Sequence, residues 1–237
     1  MVQTLKLGSL YLDGKPIAPV AKYQPGQAIS LGGEASPDIA ISWVPVNGML
    51  ISNRCLLTNI SWDDLNAQGL VFGTEVKIQG FRFTARLLKV GNDEGIPNEW
   101  DAALDTVGED NAIWHWNVKY FWGQEPMSGS ASYRVNRGCR SARHWSWGYS
   151  SVRDAYLGFR PALEFLPTDT SDLRHGQEIM AIGRNGCVMG TLMEKTQYDL
   201  ILQPKPGGVA GEAAFAAVTR DGTLAVDRNG ILSIVAA

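Results

Sequence analysis

The sequence predicts an α+β fold with β-rich segments at both ends and a loop-rich middle, on three observations. Short apolar runs alternate with the turn dipeptides Asp13-Gly14, Asn47-Gly48, Asn185-Gly186, Asp221-Gly222 and Asn229-Gly230, the signature of antiparallel strands. Two stretches in the middle third carry helix caps. Residues 133–165, YRVNRGCRSARHWSWGYSSVRDAYLGFRPALEF, keep neither a helical period nor strict alternation between Cys139 and Leu157. Irregular chain of that length inside a compact domain is usually functional.

Three segments are expected: a β-rich N-terminal arm over 1–35, a domain over 36–167 and a C-terminal β meander or sandwich over 168–237. In the arm, Ser9-Leu10-Tyr11-Leu12 leads into the Asp13-Gly14 turn, and Pro16, Pro19 and Pro25 confine the strands to an edge. Residues 32–38, GGEASPD, read as a loop or boundary. A second hairpin turns at Asn47-Gly48, and a third, over 76–88, at Gln79-Gly80. Ser61 with Asp64 reads as a capping box for a short helix ending near Gly69. Asn98 caps another, with Trp100, Leu104 and Val107 at helical spacing and Gly108 as its stop. Beyond the polar stretch 168–177, apolar runs at 179–182, 187–193, 200–202, 215–218, 224–226 and 231–235 make up the C-terminal strands.

Composition narrows the function. With 237 residues, 45% hydrophobic and 19% charged, the chain can bury a proper core. A net charge of −3 argues against a nucleic-acid binder. No apolar run approaches the ~18 residues of a bilayer span. The first residues lack a long apolar stretch, so no signal peptide is read, and the compartment stays open between a phage particle and the cytoplasm. Cys55, Cys139 and Cys187 are odd in number and far apart, which fits neither a disulfide framework nor a metal site. His115, His144 and His175 have no ligand spacing, and the acidic loop Asn92-Asp93-Glu94 lacks a calcium-loop pattern. Neither metal nor cofactor is expected.

The motifs Asn98-Glu99-Trp100-Asp101, Trp114-His115-Trp116, Arg134-Val135-Asn136-Arg137-Gly138, Arg140-Ser141-Ala142-Arg143 and Gly158-Phe159-Arg160-Pro161 carry a resemblance over about 61–166. In them the chain resembles the C-type lectin-like fold, in the branch shared by formylglycine-generating enzymes and the variable proteins of diversity-generating retroelements, phage- and prophage-associated ones above all. The resemblance implies a C-type lectin-like domain whose irregular loops display a ligand-binding surface. In diversified members, adenine-directed mutagenesis of Asn codons cannot reach Lys, Glu, Gln, Met or Trp. Between Ser128 and Leu163 this chain has no Lys, Glu, Gln or Met, although these types account for 33 of its residues. By the same rule Trp145 and Trp147 are fixed, and the candidate ligand-binding positions are Asn136, Cys139, His144, Ser146, Tyr149, Val152, Asp154, Ala155 and Tyr156. Arg137, Arg143 and Arg160 are expected to hold loops together, with Asp101 and Glu164 among their partners.

The expected function is therefore non-enzymatic recognition of a protein or cell-surface ligand, with the β-rich termini as the surface for any self-association. The alternatives are a formylglycine-generating-like oxidase and a phage structural protein without a diversified site. A lone thiol such as Cys139 is more often packed than reactive, which disfavours the oxidase.

Overall fold

The computed structural model describes residues 3–33, 36 and 38–237. Turn chemistry acts first. Leu5–Leu12 passes into Lys15–Ile17 through Asp13 and Gly14 (φ 50° and 74°), and Ala40–Val46 into Met49–Ser52 through Asn47 and Gly48 (φ 50° and 78°). Thr74–Ile78 likewise meets Phe81–Leu87 through Gln79 and Gly80, at φ 51° and 92°. Two successive left-handed residues give a turn whose twist matches that of the paired strands.

These hairpins build an eight-stranded sheet in the order Lys15–Ile17, Leu5–Leu12, Ala40–Val46, Met49–Ser52, Pro161–Phe165, Phe81–Leu87, Thr74–Ile78, with Ile29–Gly32 also paired to Leu5–Leu12. The second sheet runs Trp145–Tyr149, Tyr133–Gly138, Tyr120–Pro126, Leu157–Phe159, Leu57–Thr58, Ala21–Lys22. Leu157–Phe159 lies parallel to Tyr120–Pro126, and at its centre a Cβ on Gly158 would stand 2.2 Å from the Leu57 carbonyl oxygen, so only glycine fits. The third sheet runs Ala216–Val218, Leu224–Asp227, Asp199–Glu212, Asn185–Lys195, Glu178–Ile182, Ser233–Ala236.

The helix caps form as the sequence specifies and the two helices end close to their expected stops, but with one further turn they are a small part of the chain. Ser61 accepts from the Asp64 amide (3.1 Å) and Asp64 accepts from the Ser61 amide (3.0 Å), opening Trp62–Ala67. Asn98 accepts from the Asp101 amide and opens Glu99–Val107, which stops at Gly108 (φ 92°). Asn111–Trp114 adds one turn. The α+β expectation is thereby corrected. The molecule is mostly β, 48% strand and 9% helix in three helices, with several sheets, and no C-type lectin-like fold is identified in it. Local caps and turns do not say how strands far apart in the chain join into common sheets. Part of the stretch read as irregular is also the strand Trp145–Tyr149.

The boundary expected after Ala35 lies outside the described residues. Leu5–Leu12 pairs within the first sheet, and its buried Leu5, Leu7 and Leu10 share one apolar core with Trp43, Phe81, Phe159, Met180, Ile182 and Val235. The third sheet closes on this body through Gly211 N–H to Gln3 O (2.8 Å) and Thr168 N–H to Ile234 O (2.7 Å). A second core, of Trp100, Leu104, Trp114, Phe121 and Val135, fills the space under Glu99–Val107. Among the described residues no helix is long and apolar enough to cross a membrane.

Candidate ligand-binding surface

The middle of the chain joins short strands by irregular connections, so many buried carbonyls need donors from side chains. Tryptophan and arginine supply them. Indole N–H groups of Trp43, Trp62, Trp100, Trp114, Trp116, Trp122 and Trp145 donate to the carbonyls of Leu7, Gly123, Ala142, Gly108, Glu109, Ile60 and Gly91. Arg137, nearly fully buried, donates to the Val90 (3.1 Å) and Arg143 (3.0 Å) carbonyls and pairs with Asp101. Arg143 holds Asp105 and Glu109, each at 2.6 Å, and Arg153 grips Asp64 at 2.7 and 2.8 Å. Glu164 pairs instead with Arg86, which also binds Glu99.

Arg160 is fully buried and, among the described residues, has no carboxylate paired with it. Its guanidinium donates to Ser52 O (3.1 Å) and Trp114 O (2.7 Å) and lies 5.1 and 4.8 Å from the rings of Trp100 and Phe121. Burial pushes it down to about 10, which still leaves the charge in place at neutral pH.

Two residues of these same types break the pattern. Among the described residues, Arg140 alone of the six arginines between 134 and 160 donates to no carbonyl or carboxylate, and Trp147 alone of the eight tryptophans has no partner for its N–H. Both line an open concavity of about 390 Å³ beside the edge strand Trp145–Tyr149. Its other walls are Tyr120, Asn136, Cys139, Ser146, Gly148, Val152, Asp154, Tyr156 and Leu157.

Six of the nine sequence-predicted positions therefore come together here: Asn136, Cys139, Ser146, Val152, Asp154 and Tyr156. Register explains the grouping. Ser146 pairs with Asn136, which pairs with Trp122, so their side chains share one face of the sheet. The other three stand outside the lining. His144 packs its ring 5.9 Å from that of Tyr120. Tyr149 has the opposite parity and faces the other side, where its hydroxyl accepts from that of Tyr133 at 2.8 Å. Ala155 is exposed and offers its carbonyl to Lys119 Nζ at 2.7 Å.

Local geometry limits two of the six. Asn136 is only 4% exposed, and its Oδ1 is buried without a partner. Cys139 sits at φ 72°, a conformation that costs a residue with a Cβ about 1–2 kcal/mol. Sequence reasoning missed Tyr120, Arg140, Trp147, Gly148 and Leu157 as lining. Alternation from Ser146 would have found Gly148, whereas Tyr120 comes from a strand distant in sequence.

Burial pushes the Tyr120 hydroxyl up, as does the neighbouring Cys139 thiol, against the pull of the Arg140 guanidinium. At neutral pH it is therefore a phenol that can donate. Away from the concavity, His115 is held neutral by burial and by Arg54, whose Nη2 lies 2.7 Å from its Nε2. Burial raises the thiols of Cys55 and Cys187, the latter to about 12, so neither is a nucleophile at neutral pH. Among the described residues, no group of three or more His, Cys, Asp or Glu side chains is placed to hold a metal ion.

A smaller hollow of about 240 Å³, lined by Gln3, Pro45, Thr106, Val107, Asn185, Gly211 and Glu212, gathers neither an ion pair nor a nucleophile. Comparison with protein-family models, with curated proteins and with solved structures finds no match for this chain.

Proposed function

We propose that this chain is a non-enzymatic ligand-binding protein that displays a variable surface, centred on the concavity beside Trp145–Tyr149, to a protein or cell-surface ligand. The observation that carries the reading is the division among like residues. The tryptophans and arginines of the middle region are bonded into the body of the protein, except, among the described residues, Trp147 and Arg140; Arg140 lines the concavity with six of the nine candidate positions, and Trp147 borders it while its ring stacks on Tyr133, 4.4 Å between centroids. A molecule that must hold its frame constant while a patch changes needs that separation, because frame residues cannot vary and patch residues can. The motif resemblance to variable proteins of diversity-generating retroelements supports the same reading, as does the absence of Lys, Glu, Gln and Met between Ser128 and Leu163.

The test is a pair of libraries scored by protease resistance. One randomises Ser146, Val152, Asp154, Ala155 and Tyr156; the other randomises Trp100, Trp114, Trp122, Arg137 and Arg160. The first should stay largely folded and yield binders when selected against protein targets, and the second should collapse. Equal collapse would overturn the reading. At the genomic level, a near-copy of the segment encoding 134–164 beside a reverse-transcriptase gene is expected.

A further inference from the structure

The concavity has a chemical bias that goes beyond its being open, and reading that bias rests on the display function proposed above. Its uncommitted groups are mostly donors. Arg140 lines it, carries five guanidinium N–H donors in a planar fork and, among the described residues, makes no side-chain bond to a carbonyl or carboxylate. Tyr120 lines the same concavity and brings its hydroxyl as a further donor. The Asn136 amide nitrogen stands close to the bare face of Gly148, 3.7 Å from where a Cβ would be, and has no partner among the described residues. The Asn136 Oδ1 is the atom buried without a partner among the described residues, an acceptor that a carboxylate does not satisfy, so Asn136 contributes through its nitrogen alone. The one acid in the lining, Asp154, already accepts from the Tyr156 amide at 2.7 Å.

We infer that the concavity receives a carboxylate side chain, aspartate or glutamate, of a protein ligand, held by Arg140 and Tyr120 with Asn136 beneath it. A carboxylate offers two acceptor oxygens in the plane that a guanidinium fork matches. A single uncommitted cation with Asp154 in the same lining suits a monoanion and disfavours a phosphate dianion. Exposed Tyr156 and Val152 at the rim give the flat contact area that an anchored protein side chain brings with it.

The experiment titrates the whole protein with N-acetylglutamate N-methylamide, its glutamine counterpart and inorganic phosphate, following the Arg140 Nε–H and Asn136 amide resonances by NMR. The glutamate probe should move both resonances and bind about tenfold more tightly than the glutamine probe. Arg140→Gln should abolish that preference, and Arg140→Lys should keep part of it, both with unchanged melting temperature because Arg140 is exposed. Failure of the glutamate probe to move these resonances at any concentration, equal binding of the glutamine probe, or tighter binding of phosphate would each overturn the carboxylate assignment. None of these results affects the display reading, which falls only if the patch library fails to fold or to yield binders.

Discussion

Asn185–Lys195 and Asp199–Glu212 pair along most of their eleven and fourteen residues in the third sheet, whereas no strand of the second sheet exceeds seven. The long hairpin satisfies its own backbone through the ladder. The second sheet and its connections cannot, and they borrow donors from buried side chains such as Arg137, Arg160 and Trp122. The difference teaches that the Arg/Trp-rich composition of the middle marks where the backbone lacks a ladder. It also shows why a changeable patch can sit there: the frame is fixed by side chains pointing inward, which leaves surface positions without a structural duty.

The largest expected effect sets one region against the other. Arg137→Ala leaves Asp101 and the carbonyls of Val90 and Arg143 without their buried partner. It should cost about 3 kcal/mol, the low end for a broken buried pair because Asp101 is partly exposed. Lys205→Ala in the third sheet removes a half-exposed pair with Glu178 and should cost less than about 1 kcal/mol. Urea unfolding of both variants checks this, and similar costs would erase the distinction between the two regions.

A smaller effect concerns acid. Burial pushes the Asp64 carboxyl up, but Arg153 and the Ser61 hydroxyl and amide outweigh it and hold the group below the usual carboxylate range. A depressed folded-state value means stability that is present above the unfolded value, about 3.9, and is lost as pH falls through the folded one. Asp64 ties the start of Trp62–Ala67 to Arg153 at the edge of the patch. Wild-type melting temperature should therefore drop more steeply than that of Asp64→Asn as pH is lowered from neutral to below about 4. Parallel curves would show that this tie adds nothing to the frame.

Much of the local fold was legible in the sequence, and for local reasons. Turns at Asp13-Gly14, Asn47-Gly48 and Gln79-Gly80, and caps at Ser61 and Asn98, depend on neighbours within four residues. The fold class was not, because sheet membership depends on partners far along the chain. Leu157–Phe159, for example, is a strand only because Tyr120–Pro126 and Leu57–Thr58 flank it. Pro204 and Pro206 hid the length of Asp199–Glu212, whose free margin tolerates proline. Of the candidate surface, composition singles out the residues near Ser146, whereas strand parity, which sets Tyr149 on the face opposite Ser146, is not read from composition.

That parity gives the smallest and most discriminating prediction. Trp145–Tyr149 has two faces: Ser146 and Gly148 look into the concavity with Asn136, while Trp147 and Tyr149 both stack with Tyr133 on the other side, ring centroids 4.4 Å apart in each pair. The Tyr149 hydroxyl is already engaged there, so Tyr149→Ala should leave binding of N-acetylglutamate N-methylamide within about twofold of wild type. Asp154→Asn keeps an oxygen for the Tyr156 amide but removes the negative charge from the lining. An exposed like charge repels a bound carboxylate only weakly through water, so the variant should bind the probe about two- to fivefold more tightly at low salt, and less distinctly at high salt. If Tyr149→Ala weakens the probe as much as Arg140→Gln does, the aromatic face and not the concavity is where the ligand sits, and the two faces of the strand exchange roles.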